Sequence, residues 1–375
     1  MKTFWGCLCM LGLIVMGTPL AAQFSRTRPV KPSTGWDIGR FQDSWNVLEP
    51  ITRRNLTIYP VVSNLKIADT FGFLTLDDGL ASGSVKIGER GQMENAMYRR
   101  RDPMQSQPWE ERRPDYGGGA SVNELVLVND SSRPLILLAG EVVSGGKQTR
   151  IIGADMVVPP KSDPLPLAVF CVEHGRWTSG PGGFGAAGIV AQPSVRKEAQ
   201  VSRNQSRVWD SVAESAKSVG AAPPTSSYAD VVNSPQAKRD LDDVTSSIES
   251  EYERQLRDQL RDRGAVGVVV AIDGELVWSD VFSSPDLFRK YWPKLLRSYV
   301  MEAEGHGRGG EFVPSSKEAL SFLLEDHGRE TVKIEPQAYR RTEISGRDYQ
   351  IVALEALGRY EDSGFLVHYN KMARD

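Results

Sequence analysis

Cysteine is scarce in this chain. Its 375 residues hold three, Cys7, Cys9 and Cys171. The first two sit in an N-terminal apolar run, so Cys171 is left alone and a disulfide framework is excluded. A chain of this length buries enough apolar surface to fold without one. Histidine is sparse too. His174, His306, His327 and His368 are scattered and show no metal-ligand spacing. Neither a metal nor a cofactor is expected. Charge of one sign is also missing, with 45 Lys and Arg against 48 Asp and Glu, a net −3 at pH 7. That balance gives no electrostatic basis for binding nucleic acid or an anionic membrane. Past the N-terminus no apolar run approaches the ~20 residues of a spanning helix.

The N-terminus carries a pattern of its own. Lys2 precedes the apolar run "FWGCLCMLGLIVMG", Phe4 to Gly17, and "TPLAAQ" follows with Pro19 and small residues. This is the layout of a secretory signal peptide, and the run is short for a membrane span. Residues 1–22 are therefore expected to be a leader cut after Ala22, with retention as an anchor as the alternative. The mature chain is expected to be exported, periplasmic or extracellular, with no stable membrane insertion. Residues 23–49 are polar and turn-rich, and read as a flexible arm.

From Leu56 to about Val172 the chain reads as short strands broken by Gly, Pro, Asn and Asp, such as "LTIYPVV", "NELVLVN" and "LAVFCVE". A turn-rich stretch at 99–119 reads as an exposed loop insertion. Helical periodicity then takes over. Val208, Val212, Ala216 and Val219 make one stripe, and Leu241, Val244, Ile248 and Tyr252 a clearer one. "AVGVVVAIDGELVWSDVF" reads as a hairpin turning at Asp273-Gly274. Ser284 and Pro285 open another helix, which Pro293 is expected to kink. After Gly305 a short helix and three strand-like runs follow. The fold class is α+β: a β-rich N-terminal half, long amphipathic helices, a β-hairpin and a C-terminal α/β extension. The expected boundaries are 50–304 for the main domain and 305–375 for the extension.

Two segments concentrate chemistry. "GEVVSGGKQTR", Gly140 to Arg150, fails as a phosphate loop because Glu141 stands where the first glycine belongs and Gln148 follows the lysine. The Ser144-x-x-Lys147 match is rejected as well, since that serine must open a helix. With Gly145-Gly146 as a two-residue hairpin turn, Glu141 faces Arg150, and Glu141, Val143, Gln148 and Arg150 share a sheet face. Such a pair is either an exposed cross-strand ion pair or a carboxylate orienting an arginine for a ligand. In the second segment, "CVEHGRW", Cys171 and Glu173 share a strand face that His174 leaves. Cys171 then reads as a packed thiol rather than a nucleophile beside a base. "GFGAAG" lacks the leading strand of a dinucleotide fingerprint and reads as a mobile loop. Arg196, Arg203 and Arg207 align with Gln200 on one helix face, which reads as solvated unless a site lies beside it.

Together "GEVVSGGKQTR", "VVPP", "CVEHGRW" and the later "VW" at Val208-Trp209 resemble the ARPP-1 family, the ARG and Rhodanese-Phosphatase-superfamily-associated Protein domain. The resemblance spans roughly residues 50–300. It implies a shared domain with a polar site at Glu141, Gln148, Arg150, Glu173, Arg176 and Trp177. It implies no reaction, because the family name records associations. With the leader, it implies a bacterial protein. The leading functional expectation is binding of a polar or anionic small molecule. One alternative is a hydrolase or lyase using Glu141 and Glu173 as acid and base. The other is a structural interaction module of the cell envelope.

Overall fold

The Asp273-Gly274 turn forms as its residues dictate. Both have positive φ, 52° and 84°, as a type I′ turn demands. Ile272 pairs with Glu275 across it. The computed structural model containing this hairpin describes residues 42–65, 72–89, 124–146, 148–173, 183–220, 227–260, 264–306, 312–335, 338–357 and 365–374. The expected leader at 1–22 and the insertion at 99–119 lie outside the described residues, as do His174, Arg176 and Trp177.

In chain order the first elements are β1 (Trp45–Val47), β2 (Ile51–Arg53), β3 (Leu56–Ser63), α1 (Leu76–Ala81), β4 (Val85–Gly88) and β5 (Glu124–Asn129). Next come β6 (Leu135–Leu137), β7 (Glu141–Gly145), β8 (Arg150–Ile152), β9 (Met156–Val158), β10 (Leu165–Cys171) and β11 (Phe184–Val190). Four helices follow: α2 (Pro193–Lys197), which runs into a π-helical turn at Glu198–Ser202, then α3 (Gln205–Ser218), α4 (Tyr228–Val232) and α5 (Pro235–Leu260). The hairpin strands are β12 (Gly267–Ile272) and β13 (Glu275–Phe282). The chain ends with α6 (Pro285–Glu304), α7 (Ser316–Leu324), β14 (Arg329–Glu335), β15 (Tyr339–Ser345), β16 (Tyr349–Ala356) and β17 (Phe365–Ala373).

The fold is α+β with antiparallel sheets. The large sheet runs β1-β3-β12-β13-β17-β16-β15-β14, with β2 beside β1 on the outer edge of β3. A second sheet runs β11-β7-β8-β10-β5-β4, and β6 pairs with β9. The main core joins the large sheet (Ile58, Val268, Val270, Trp278, Val352) to α5 and α6 (Leu241, Ile248, Leu295, Tyr299) and to one side of the second sheet (Val142, Ile151). A smaller core fills the second sheet's other side, with Leu127, Val143, Ile152, Val169 and Phe184.

Three expectations change here. The arm drawn at 23–49 already contains structure, because Trp45 is buried and pairs with Ser63. The boundary at Gly305 falls inside one sheet: β17 pairs with β13, so the chain beyond it completes the same layer. Pro293 does not interrupt α6, which runs from Pro285 to Glu304. Pro293 and Arg289 lie on the exposed side, so water can take over the carbonyl that the proline leaves unbonded.

One buried knot of charge joins the layers. Asp280 on β13 accepts three hydrogen bonds on each carboxylate oxygen. Arg196 Nη2, His368 Nε2 and Asn370 Nδ2 donate to one oxygen, and Arg196 Nη1, Trp278 Nε1 and Tyr299 Oη to the other. Arg196 also donates to the Ala139 carbonyl at 3.1 Å. His368 Nδ1 lies 2.7 Å from Asp155, which accepts from the Ala139 amide as well. The guanidinium passes so close to Gly140 (φ +88°) that a Cβ there would meet Arg196 Cγ at 2.4 Å. Burial favours the neutral form of each group. It would lower the His368 pKa, but Asp155 and Asp280 outweigh it and raise the imidazole to about 9. Burial would raise the Asp280 pKa, but Arg196 and His368 hold it far below the usual carboxylate range.

The sign of the pH dependence follows. Unfolded, His368 titrates near 6.5, and folded, near 9. Its contribution to stability is complete below about 6.5 and is lost as pH rises through about 9. Buried Lys371, lowered to about 8, acts in the opposite sense above that pH, so the clean window is 6.5 to 8. Across it, urea denaturation of the wild type is expected to show a loss of about 1.5 kcal/mol. His368→Gln should start lower and lose much less. A variant with the wild-type slope would refute this role for His368.

Candidate functional site

The register of β7 and β8 decides where the expected site residues go. Val143 pairs with Arg150 and Val142 with Ile151, two positions away from the register of a tight Gly145-Gly146 turn. Glu141 pairs instead with Val190 of β11. The double glycine serves a different purpose. Phe184 lies over it, and a Cβ on Gly146 would meet the Phe184 ring at 2.5 Å. The Glu141–Arg150 pair therefore does not form, and neither residue is exposed: both are 1% accessible. "GFGAAG" is correspondingly not a loop, since Phe184–Val190 is strand β11 on β7.

Arg150 instead meets the second segment. Across β8 and β10 it pairs directly with Cys171. Arg150 Nη1 donates to Gln148 Oε1 at 3.0 Å, and the same oxygen lies 3.0 Å from Cys171 Sγ. Gln148 Nε2 donates to the Glu173 carbonyl at 3.3 Å. The Glu173 carboxylate accepts from the Thr149 amide at 3.0 Å, and Ser227 Oγ donates to Thr149 Oγ1 at 3.2 Å. Gln205 of α3 holds the Cys171 main chain from both sides, at 2.9 and 2.8 Å. Three of the six expected site residues, Gln148, Arg150 and Glu173, thus converge with Cys171. Arg176 and Trp177 lie outside the described residues.

Electrostatics separates this cluster from the rest of the interior. Among the described residues no carboxylate forms an ion pair with Arg150, and its Nε, fully shielded, has no hydrogen-bond partner. Glu89, just past β4, has a shielded Oε1 that is equally unpartnered. Burial raises the Cys171 pKa. Arg150 opposes that shift, while Glu89 and Glu173 reinforce it. Cys171 is therefore a thiol at neutral pH and unsuited to nucleophilic attack.

Glu141 belongs elsewhere. Its carboxylate accepts from Lys294 of α6 at 2.6 Å and from the Leu138 amide at 2.8 Å. Lys294 also holds Asp77 at 2.6 Å. Burial would lower the Lys294 pKa, but Glu141 and Asp77 together raise it. Glu141 and Glu173 thus engage separate partners, and no hydrogen bond joins them as an acid–base pair. Lys294 lines a shallow depression with Tyr228, Arg297, Ser298 and Met301, which Arg150 does not line. We place the candidate site at Arg150, because the charge in the depression is already matched by two carboxylates.

The arginine row dissolves as well. Arg196 is buried on Asp280, Arg203 pairs with Glu343, and Arg207 lies 3.8 Å from Glu198. Sequence reasoning missed Glu89, Thr149, Gln205, Ser227 and Lys294. Only Thr149 carried a signal, through its place between Gln148 and Arg150. One consequence concerns Cys171. In mildly alkaline buffer iodoacetamide should leave the Cys171 peptide unmodified in the folded protein and label it fully in guanidinium. Peptide mass mapping checks this, and rapid native labelling would contradict a closed thiol.

No curated protein and no solved structure matches the chain. A family model does match, over residues 44–370. It therefore extends well past Gly305, through the strands that complete the large sheet. The chain belongs to the ARPP-1 family, that of the ARG and Rhodanese-Phosphatase-superfamily-associated Protein domain.

Proposed function

We propose that this protein binds a small anionic molecule at Arg150, within the cluster of Gln148, Glu173 and Glu89. The supporting observation is the unmatched charge of Arg150. Other buried cations find an answer to burial. Arg196 has Asp280, and Lys294 has Glu141 and Asp77. Lys371 forms no ion pair among the described residues, and burial lowers its pKa to about 8 although Glu325 and Asp326 oppose the shift. A guanidinium has no such escape, because it stays charged at any ordinary pH. Among the described residues Arg150 has only the neutral amide of Gln148. An anion, carboxylate or phosphate, supplies the missing charge, and Arg is the residue suited to gripping either. The unpartnered Glu89 oxygen favours a ligand that also carries a hydroxyl or amine donor.

Thermal unfolding with added phosphate, sugar phosphates, nucleotides and hydroxy-dicarboxylates tests this reading. A ligand at a hundred times its Kd stabilises by about 2.7 kcal/mol, which raises Tm by roughly 3–4 °C in a chain of this size. Arg150→Met should abolish that shift while unfolding, without ligand, at or above the wild-type temperature, because an unmatched buried charge is gone. If no anion moves the wild type, or if Arg150→Met responds equally, the reading fails.

The reading includes export, supported by the apolar run from Phe4 to Gly17 and the small residues before Gln23. Fractionation of a bacterial host expressing the full chain should place it outside the cytoplasm, with a mature N-terminus at Gln23. Cytoplasmic protein with Met1 or Lys2 intact would count against export.

A further inference from the structure

The two ends of the large sheet are treated differently. At one end β1 and β2 cover the outer edge of β3. At the other, β14 pairs with β15 along all seven of its residues and, among the described residues, with no strand on its far side. Every residue from Arg329 to Glu335 is exposed, and Val332 and Ile334 are 44% accessible each. The register with β15 is continuous, so no bulge turns the edge away. Proteins blunt such an edge with a bulge, a proline, a covering element or charged side chains, since its unpaired main-chain groups invite another strand, and of these β14 carries only the charges, on four of its seven residues.

The side chains of β14 select which strand. The sequence is Arg-Glu-Thr-Val-Lys-Ile-Glu. Laid antiparallel against itself about Val332, Arg329 faces Glu335 of the second copy, and Glu335 faces its Arg329. Thr331 faces Lys333, Glu330 faces Ile334, and Val332 meets Val332. No like charges oppose. Main-chain groups on a strand edge point outward at every second residue, so a copy can slide only in steps of two. One step in one direction sets Arg329 against Lys333. One step in the other sets Lys333 against Lys333. Like charges directly opposite are destabilising, so the charge pattern admits the register centred on Val332 and rejects both neighbours.

We propose that β14 is the contact between two copies of this chain, paired antiparallel about a two-fold axis through Val332. The contact is isologous, as a two-fold interface requires. It adds roughly six to eight main-chain hydrogen bonds and continues the large sheet across both copies. The two Arg329–Glu335 pairs are exposed and set register more than strength. This inference is independent of the Arg150 reading and uses none of its residues.

Sedimentation velocity of the full chain across the micromolar range provides the test. The wild type should show a concentration-dependent monomer–dimer equilibrium. Glu335→Arg should weaken it roughly tenfold or more, because like charges then meet at both ends, and Arg329→Glu should weaken it less, because a one-step slide sets the new carboxylate against Lys333. The double variant should restore it. An equimolar mixture of the two single variants should form a heterodimer, since every Glu then faces an Arg again. Both side chains are exposed, and circular dichroism will show each variant folded. A wild type that stays monomeric overturns the proposal. So does a dimer indifferent to the swaps, or single-swap losses that neither the double variant nor the mixture repairs.

Discussion

The six hydrogen bonds on Asp280 hold this architecture together. The carboxylate sits on a central strand of the large sheet, and all its partners but Trp278 come from other elements. Arg196 arrives from α2, Tyr299 from α6, and His368 and Asn370 from β17. Through His368 and Asp155 the knot reaches the Ala139 amide at the start of the second sheet. A charge this deeply buried is costly unless it is matched and every lone pair is used. Here both conditions are met, and meeting them requires both sheets and two helices to be in place at once. The knot therefore specifies one arrangement of layers, where apolar packing alone would tolerate several. Gly140 is part of that constraint, because only its missing side chain lets the guanidinium pass.

Arg196 and Arg150 make an instructive contrast. Both are large and buried, Arg150 on strand β8 of the second sheet and Arg196 on helix α2. Arg196 is saturated: a bidentate carboxylate, a carbonyl and the Trp278 ring at 5.0 Å account for it. Among the described residues Arg150 has one neutral amide and a nitrogen with no partner. The same chemical group is thus a finished structural joint in one place and an open valence in the other. Burial without compensation is what sets Arg150 apart from Arg196, and the proposed anion site rests on that difference.

Much of the fold was legible because it is local. The Asp273-Gly274 turn, the apolar stripe of α5 and the Ser284 cap of α6 each depend on residues within a few positions of one another. The convergence of Gln148, Arg150 and Glu173 was legible from two motifs and the resemblance that joined them. What failed was pairing at a distance. Glu141 and Arg150 appeared to oppose each other because a double glycine looked like a turn. Phe184, thirty-eight residues past Gly146, packs over those glycines and shifts the register. Arg196 read as a solvated face because its partner lies on β13, 84 residues away.

The sequence by itself determined the α+β composition, the hairpin, the long helices and the family, since all of these rest on periodicity, turn residues and motif spacing. Only the tertiary structure decided which charges meet. It joined the residues after Gly305 to the first strands in one sheet, gave Glu141 to Lys294, gave Arg196 to Asp280, and left Arg150 without an ion pair among the described residues. The physical reason is that periodicity is a property of neighbours in the chain. Charge compensation in a low-dielectric interior is a property of neighbours in space, and there a single unmatched group weighs more than many matched ones.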